Sequence, residues 1–288
     1  MKKNRPFLDV DVKEKMIEIN RNFQSIDNNM IAIGMDYKFY IDSNVKDVKI
    51  YKFRDHIQYR LRATILHIDI LTNLLNSIDN ELTSMYSLQN EGVSMHLHFE
   101  RRKSDISSIF DSVIFHIISA FDYVSNLVAF LSIKGEHNYK WTKLARAVRD
   151  KNNYLSKLNF SETIDKLDRE FVGQLYNHRS YLIHIGNESR KSSLSIKLME
   201  GKVETKIFSS STFNKNFYEL RELGKVNDLS ISYTLLWLLK KTTESIIEIQ
   251  HKLKEYMEMN KRTDEPLFFN IGKNNEMISP SINFWSKK

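Results

Sequence analysis

Apolar residues recur at every third or fourth position through most of this chain, the spacing of helices that turn one face toward a core. Val12, Met16, Ile19, Phe23 and Ile26 trace a short amphipathic helix over 12–26. Between about Asp55 and Leu88 there is no Gly or Pro, and Ile57, Leu61, Ile65, Ile68, Leu71, Leu75, Ile78, Leu82 and Met85 predict one long helix with Gly92 beyond it. A second long helix is expected from about Ser104, as N-cap, to Ile133, with Gly135 just past its end. It is apolar around most of its circumference between Ile109 and Leu131, which makes it central. Trp141, Leu144, Ala145 and Val148 give a shorter helix that Asn152-Asn153 ends. Ser161 is the expected cap of the next, with Glu162 and Asp165 near its positive end and Gly186 as its stop. A last long helix, capped by Asn227 or Asp228, reaches about Met259.

Two segments read as strands instead. Met30-Ile31-Ala32-Ile33 and Tyr37-Lys38-Phe39-Tyr40-Ile41 are β-prone and flank Gly34 and Asp36, which reads as a small hairpin within 30–50. Leu194, Ile196 and Leu198, then Val203, Thr205 and Ile207, alternate with polar residues around Glu200-Gly201, a second hairpin at about 192–208. The expected fold is all-α: an up-and-down helical bundle at 55–260 carrying that small inserted β-hairpin. Residues 1–54 would pack on it as a helix and hairpin, and 261–288, rich in Asn and Lys, would form a tail with Phe268, Phe269 and Trp285 as isolated anchors.

Composition narrows the chemistry. With 288 residues, 41% hydrophobic and 27% charged, the chain can bury a sizeable core. A net charge of +7 is compatible with a polyanion such as RNA. The absence of Cys excludes disulfides, thiolate metal sites and cysteine nucleophiles. Met1 to Pro6 is charged with no apolar run behind it, and Thr234–Leu239, read as the most apolar helical stretch, is far short of the roughly 20 residues that span a bilayer. A cytoplasmic location, with no membrane, is therefore expected. No P-loop, dinucleotide fingerprint, G-x-S-x-G or H-E-x-x-H occurs. His96 and His98 lack a third ligand at a suitable spacing, so no metal site and no cofactor are expected.

One stretch, Asn177 to Gly186, puts Arg179 and His184 inside an apolar run. Histidine titrates nearest neutral pH, and arginine offers phosphate a fixed, permanently charged fork. The bland reading is a structural pair that snorkels at the bundle's edge. Five residues of α-helix turn by about 500°, so the two side chains leave roughly 140° apart. Either the arginine reaches round, or the helix loosens, or a second subunit completes the site. Asp122 is either an inter-helix salt bridge or a partner of Arg179. Asn177 and His178 are expected to face solvent or a dimer partner, His67 and His116 to be core histidines, and Glu100 to Lys103 to be a solvated turn. Phe110, Phe115, Phe121, Tyr123 and Phe130 are read as core.

Arg179-x4-His184 late in a long helix, preceded by a helix with Ser119-Ala120-Phe121-Asp122-Tyr123, resembles the HEPN domain family over roughly residues 55–260. The resemblance implies a bundle of HEPN type and a metal-independent endoribonuclease in a defence or toxin setting. It implies RNA as partner, a homodimer with the site at its two-fold interface, and an antitoxin or regulatory partner. His184 would act as base on a ribose 2′-hydroxyl or acid toward the leaving 5′-oxygen, giving a 2′,3′-cyclic phosphate. Arg179 would hold the scissile phosphate, with Asp122, Ser180 and Asn177 in support. The position after the arginine, often Asn, Asp or His in that family, is Ser180 here. The position two past the histidine, a modified tyrosine in some toxin members, is Gly186. The alternative is a non-catalytic helical module that binds RNA, a nucleotide or a protein.

Overall fold

The computed structural model of the protein describes residues 10–44, 47–87, 92–133, 138–184, 193–199, 202–223, 229–261, 270–271 and 277–286. Within them the chain is mostly helical: α1 (Val12–Asp36), α2 (Asp47–Ser87), α3 (Gly92–Ile133), α4 (Trp141–Arg149), α5 (Ser161–Leu167), α6 (Gly173–His184), α7 (Ser211–Asn214), α8 (Tyr218–Glu222) and α9 (Ile231–Met259). Strands β1 (Ser193–Met199) and β2 (Lys202–Phe208) pair antiparallel, Ser193 opposite Phe208 through to Met199 opposite Lys202. The short β3 (Asn270–Ile271) and β4 (Met277–Ile278) form another pair. The expected stops and turns at Gly135, Gly186 and Glu200-Gly201, the caps at Asn227 or Asp228, and the anchors Phe268 and Phe269 lie outside the described residues.

The chain forms two compact units, and their boundaries fall inside helices. The first comprises Met1–Met16, Arg62–Ile117 and Gln174–Leu239. Its core is built from Ile68, Leu71 and Ile78 of α2, Phe110, Ile114 and Ile117 of α3, and Phe213, Phe217, Leu235 and Leu238. Each such side chain contributes about 1.5–3 kcal/mol by leaving water. Strand β2 is tied to α2: the Val203 N–H donates to Thr83 Oγ1 (2.9 Å), and the Thr205 N–H (2.8 Å) and hydroxyl (2.5 Å) both donate to the Asp79 carboxylate. A two-stranded ribbon is marginal alone, and these bonds hold it on the helix.

The second unit comprises Ile17–Leu61, Ile118–Gly173 and Lys240–Lys288. Ile26, Met30 and Ile33, Ile50, Ile57 and Leu61, Phe121, Trp141, Phe160, Phe171, Ile246 and Leu253 are fully buried in it. Here the expected hairpin within 30–50 is corrected. Met30 to Ile33 continue α1, and residues 37–41 extend it as a π-helical turn, Tyr37–Ile41. Ile19, Ile26, Met30, Ile33 and Tyr37 are buried at helical spacing, so the face to be covered outweighs β-propensity. Gly34 lies within α1 where the Tyr51 ring packs close, 3.2 Å from the place a Cβ would stand.

Other boundaries move as well. Ser104 is not an N-cap, for α3 begins at Gly92 and contains it. The run Glu100 to Lys103, read as a turn, is helical too. Arg102 donates two bonds of 3.0 Å to Glu81, and His98 Nε2 lies 2.7 Å from the same carboxylate, which fastens the early turns of α3 to the end of α2. Burial raises the Glu81 pKa, but Arg102 and His98 outweigh it and hold the carboxyl below its ordinary value. Ser161 opens α5, with Phe160 in the cap position. Between Leu97 and Ile133, α3 holds a window long and apolar enough to cross a membrane, and 67% of that window is buried inside the protein. The expectation, drawn from Thr234–Leu239, that no helical stretch is long and apolar enough to span a bilayer is corrected by this window.

The described part of the tail is bonded to α1. Ser279, Ser281 and Trp285, flanking a short 3₁₀ turn at Pro280–Asn283, converge on Asp36 at the end of α1. Both serine hydroxyls donate to Asp36 Oδ1. The indole N–H donates to Oδ2 at 2.8 Å, and the Ser286 N–H donates to Asn29 Oδ1 at 2.9 Å. Asp36 is only 1% exposed. Burial pushes its pKa up, against the opposing pull of these donors and of Lys254.

Candidate functional site

The helix that carries Arg179 and His184 is prepared well upstream of them. From α5 it passes through a π-helical turn, Asp168–Val172, into α6. Such a turn adds one residue to the helical repeat and rotates everything beyond it. Gly173 permits it, because a Cβ there would overlap the Asp168 carbonyl oxygen. The turn is pinned from outside. Asp168 accepts from the Trp141 indole N–H (2.8 Å) and from Arg149 (2.6 Å), while Asp165 accepts from Arg149 Nε (2.5 Å) and from Arg169 (2.5 Å). Burial raises the Asp165 pKa, but the two guanidinium groups hold it below its usual range, and the same contacts raise that of Arg149.

Along α6 the side chains divide by face. Leu175 and His178 are buried, Arg179, Tyr181 and Leu182 are half-buried, and Asn177, Ser180, Ile183 and His184 are exposed. His178, expected toward solvent, instead lies edge-on to the Phe213 ring with centroids 4.7 Å apart. The reason is register: three residues after buried Leu175, it falls on the core stripe. Asn177 makes a long contact of 3.5 Å to Gln174 on its own helix.

Arg179 and His184 occupy one helix but different environments. The Arg179 guanidinium lies over the ring of Phe115 from α3, with Cζ 5.4 Å from the centroid. Its Nε is buried with no hydrogen-bond partner among the described residues. His184 is exposed, the last residue of α6. Asp122 belongs to the second unit and Arg179 to the first. One Asp122 oxygen accepts from the Trp141 backbone N–H at 2.8 Å, satisfying an orphan donor at the start of α4.

Phe115 and Tyr123, both read as core, are half-buried, and Phe115 is the one beside Arg179. The signal was present, since Phe110, Ile114, Ile117 and Phe121 define the buried face of α3 and Phe115 stands about 100° off it. Among the described residues no three His, Asp or Glu side chains group as metal ligands. His67 and His116 are half-buried, ring centroids 4.9 Å apart, with His67 Nδ1 2.7 Å from the Ala63 carbonyl. A cleft of about 570 Å³ in the first unit is lined by Lys13, Asn76, Asp79, Thr205, Lys206 and Ser232 among others, and neither Arg179 nor His184 reaches it. No protein-family model, curated protein or solved structure matches this chain.

Proposed function

We propose that this protein is a HEPN-type endoribonuclease, cytoplasmic and homodimeric, that cleaves RNA without a metal or cofactor. The observation that carries the reading is the state of the two side chains. An arginine held by an aromatic ring rather than a carboxylate keeps its terminal amino groups for phosphate, and an exposed imidazole is within reach of RNA. In the reaction the imidazole removes the proton of a ribose 2′-hydroxyl as that oxygen attacks the adjacent phosphorus. The P–O5′ bond breaks, the leaving oxygen takes a proton, and a 2′,3′-cyclic phosphate forms. Arg179 stabilises the charge that gathers on the non-bridging oxygens. Because the two side chains leave α6 about 140° apart, the acid or base opposite a given arginine comes from a second copy of the chain. Ser180 and Asn177, both exposed on α6, would hydrogen-bond the RNA backbone.

The same angular separation favours a second reading, a non-catalytic module in which Arg179 binds RNA, a nucleotide or a protein and His184 has no task. Incubating the pure protein with total RNA and tRNA, beside His184→Ala, separates the two. Cyclic phosphate ends made by wild type alone support the nuclease, and intact RNA in both supports the binding module.

A further inference from the structure

We propose that Phe115 is a positioning residue that holds the Arg179 guanidinium open toward the RNA phosphate, an inference that rests on the ribonuclease reading above. Arginines in phosphate sites are commonly oriented by a carboxylate, which occupies one edge of the fork and competes with the anion for it. Arg179 has no carboxylate partner among the described residues; its guanidinium is paired with a ring face instead. A cation over an aromatic face is held by the ring quadrupole and by dispersion, and the contact uses none of its in-plane N–H groups.

Both ends of this contact are fixed. On α3, Val113, Ile114 and Ile117 around Phe115 are fully buried, so the backbone under the ring cannot drift. On α6, Leu175 and His178 are buried on the neighbouring face, which sets the azimuth of the arginine stem. The Nε of Arg179 is shut away from solvent without an acceptor, so the terminal amino groups are the edge left to meet a ligand. The ring therefore limits the rotation of the guanidinium, and a fork already aimed adds to catalysis because no reorganisation is needed as charge develops.

The test compares Phe115→Leu and Phe115→Tyr with wild type on total tRNA, following kcat, KM and thermal midpoint. Phe115→Leu is expected to lower kcat about tenfold with KM within about threefold, while Phe115→Tyr, which keeps the ring face, stays within about twofold of wild type. If Phe115→Leu does not fold, Phe115→Met, flexible and without a π-face, replaces it. Wild-type turnover in the leucine variant, or a folded tyrosine variant that does not restore kcat, overturns the proposal. A wild type that leaves tRNA intact removes the ribonuclease reading, and the positioning claim is then decided by the Arg179 Nε–H resonance. A ring-current shift present in wild type and Phe115→Tyr but lost in Phe115→Leu supports it; the same resonance in wild type and Phe115→Leu overturns it.

Discussion

The end of α1 and the end of α6 both place a charged side chain at the end of a helical run, and they treat it in opposite ways. Asp36 is sealed at 1% exposure, with both carboxylate oxygens taken by two serine hydroxyls and an indole N–H. Arg179 is only half-buried, its Nε has no acceptor among the described residues, and a ring is its one neighbour of note. A buried charge whose hydrogen-bonding positions are filled is a structural device. A half-buried charge whose terminal amino groups are unspent fits, on the reading proposed above, a ligand that comes and goes. The contrast sets a polar group that builds the fold against one proposed to act on RNA, and it can be broken at either end.

The largest effect is expected at α6. Arg179→Ala and His184→Ala should each lower RNA cleavage by about 10²-fold or more, with circular dichroism spectra and unfolding midpoints like wild type. The next largest is expected at α1. Asp36→Ala removes the shared acceptor of two buried serine hydroxyls and a half-buried indole N–H and should cost about 2–4 kcal/mol in urea unfolding, while cleavage per folded molecule stays at the wild-type level. Trp285→Phe removes one donor and keeps the packing, so about 1 kcal/mol is expected by the same measurement. The smallest effect concerns pH. Because burial raises the Asp36 pKa in the folded state, its contribution is fully present below the unfolded value of 3.8 and is lost as pH rises through the raised value. Glu81 runs the other way, its contribution present above the unfolded value of 4.5 and lost as pH falls through its lowered one. Asp36→Asn should therefore flatten the decline on the alkaline side and leave the acid limb, to which Glu81 and Asp165 both contribute, in place.

These ends also show what could be read from residue order. The long helices were legible, because Ile57 to Leu82 and Ile109 to Leu131 hold one period over many turns. The end of α1 was not. Ile31 and Ile33 look like strand residues until the burial of Ile26, Met30, Ile33 and Tyr37 shows the helical face they belong to. Trp285 was read as an anchor, but its partner Asp36 was not legible, since bonds spanning 243 to 249 residues leave no local trace. At α6 the residue types, Arg179 and His184, were visible from spacing. The platform under the arginine was not, because Phe115 resembles the other aromatics of α3 until its register against Ile114 and Ile117 is worked out. The π-helical turn at Asp168–Val172 was likewise invisible, although Gly173 in the middle of an apolar helix pointed to a place where a Cβ cannot stand.

The most direct measurement is of product chemistry. Purified protein is incubated with tRNA in EDTA, beside His184→Ala, and the new 3′ ends are identified by mass spectrometry. Arg179 and His184 acting on one phosphodiester predict 2′,3′-cyclic phosphate ends that appear with wild type, persist in EDTA and vanish in the variant. Ends that disappear on chelation, or that the variant makes at the wild-type rate, would contradict it.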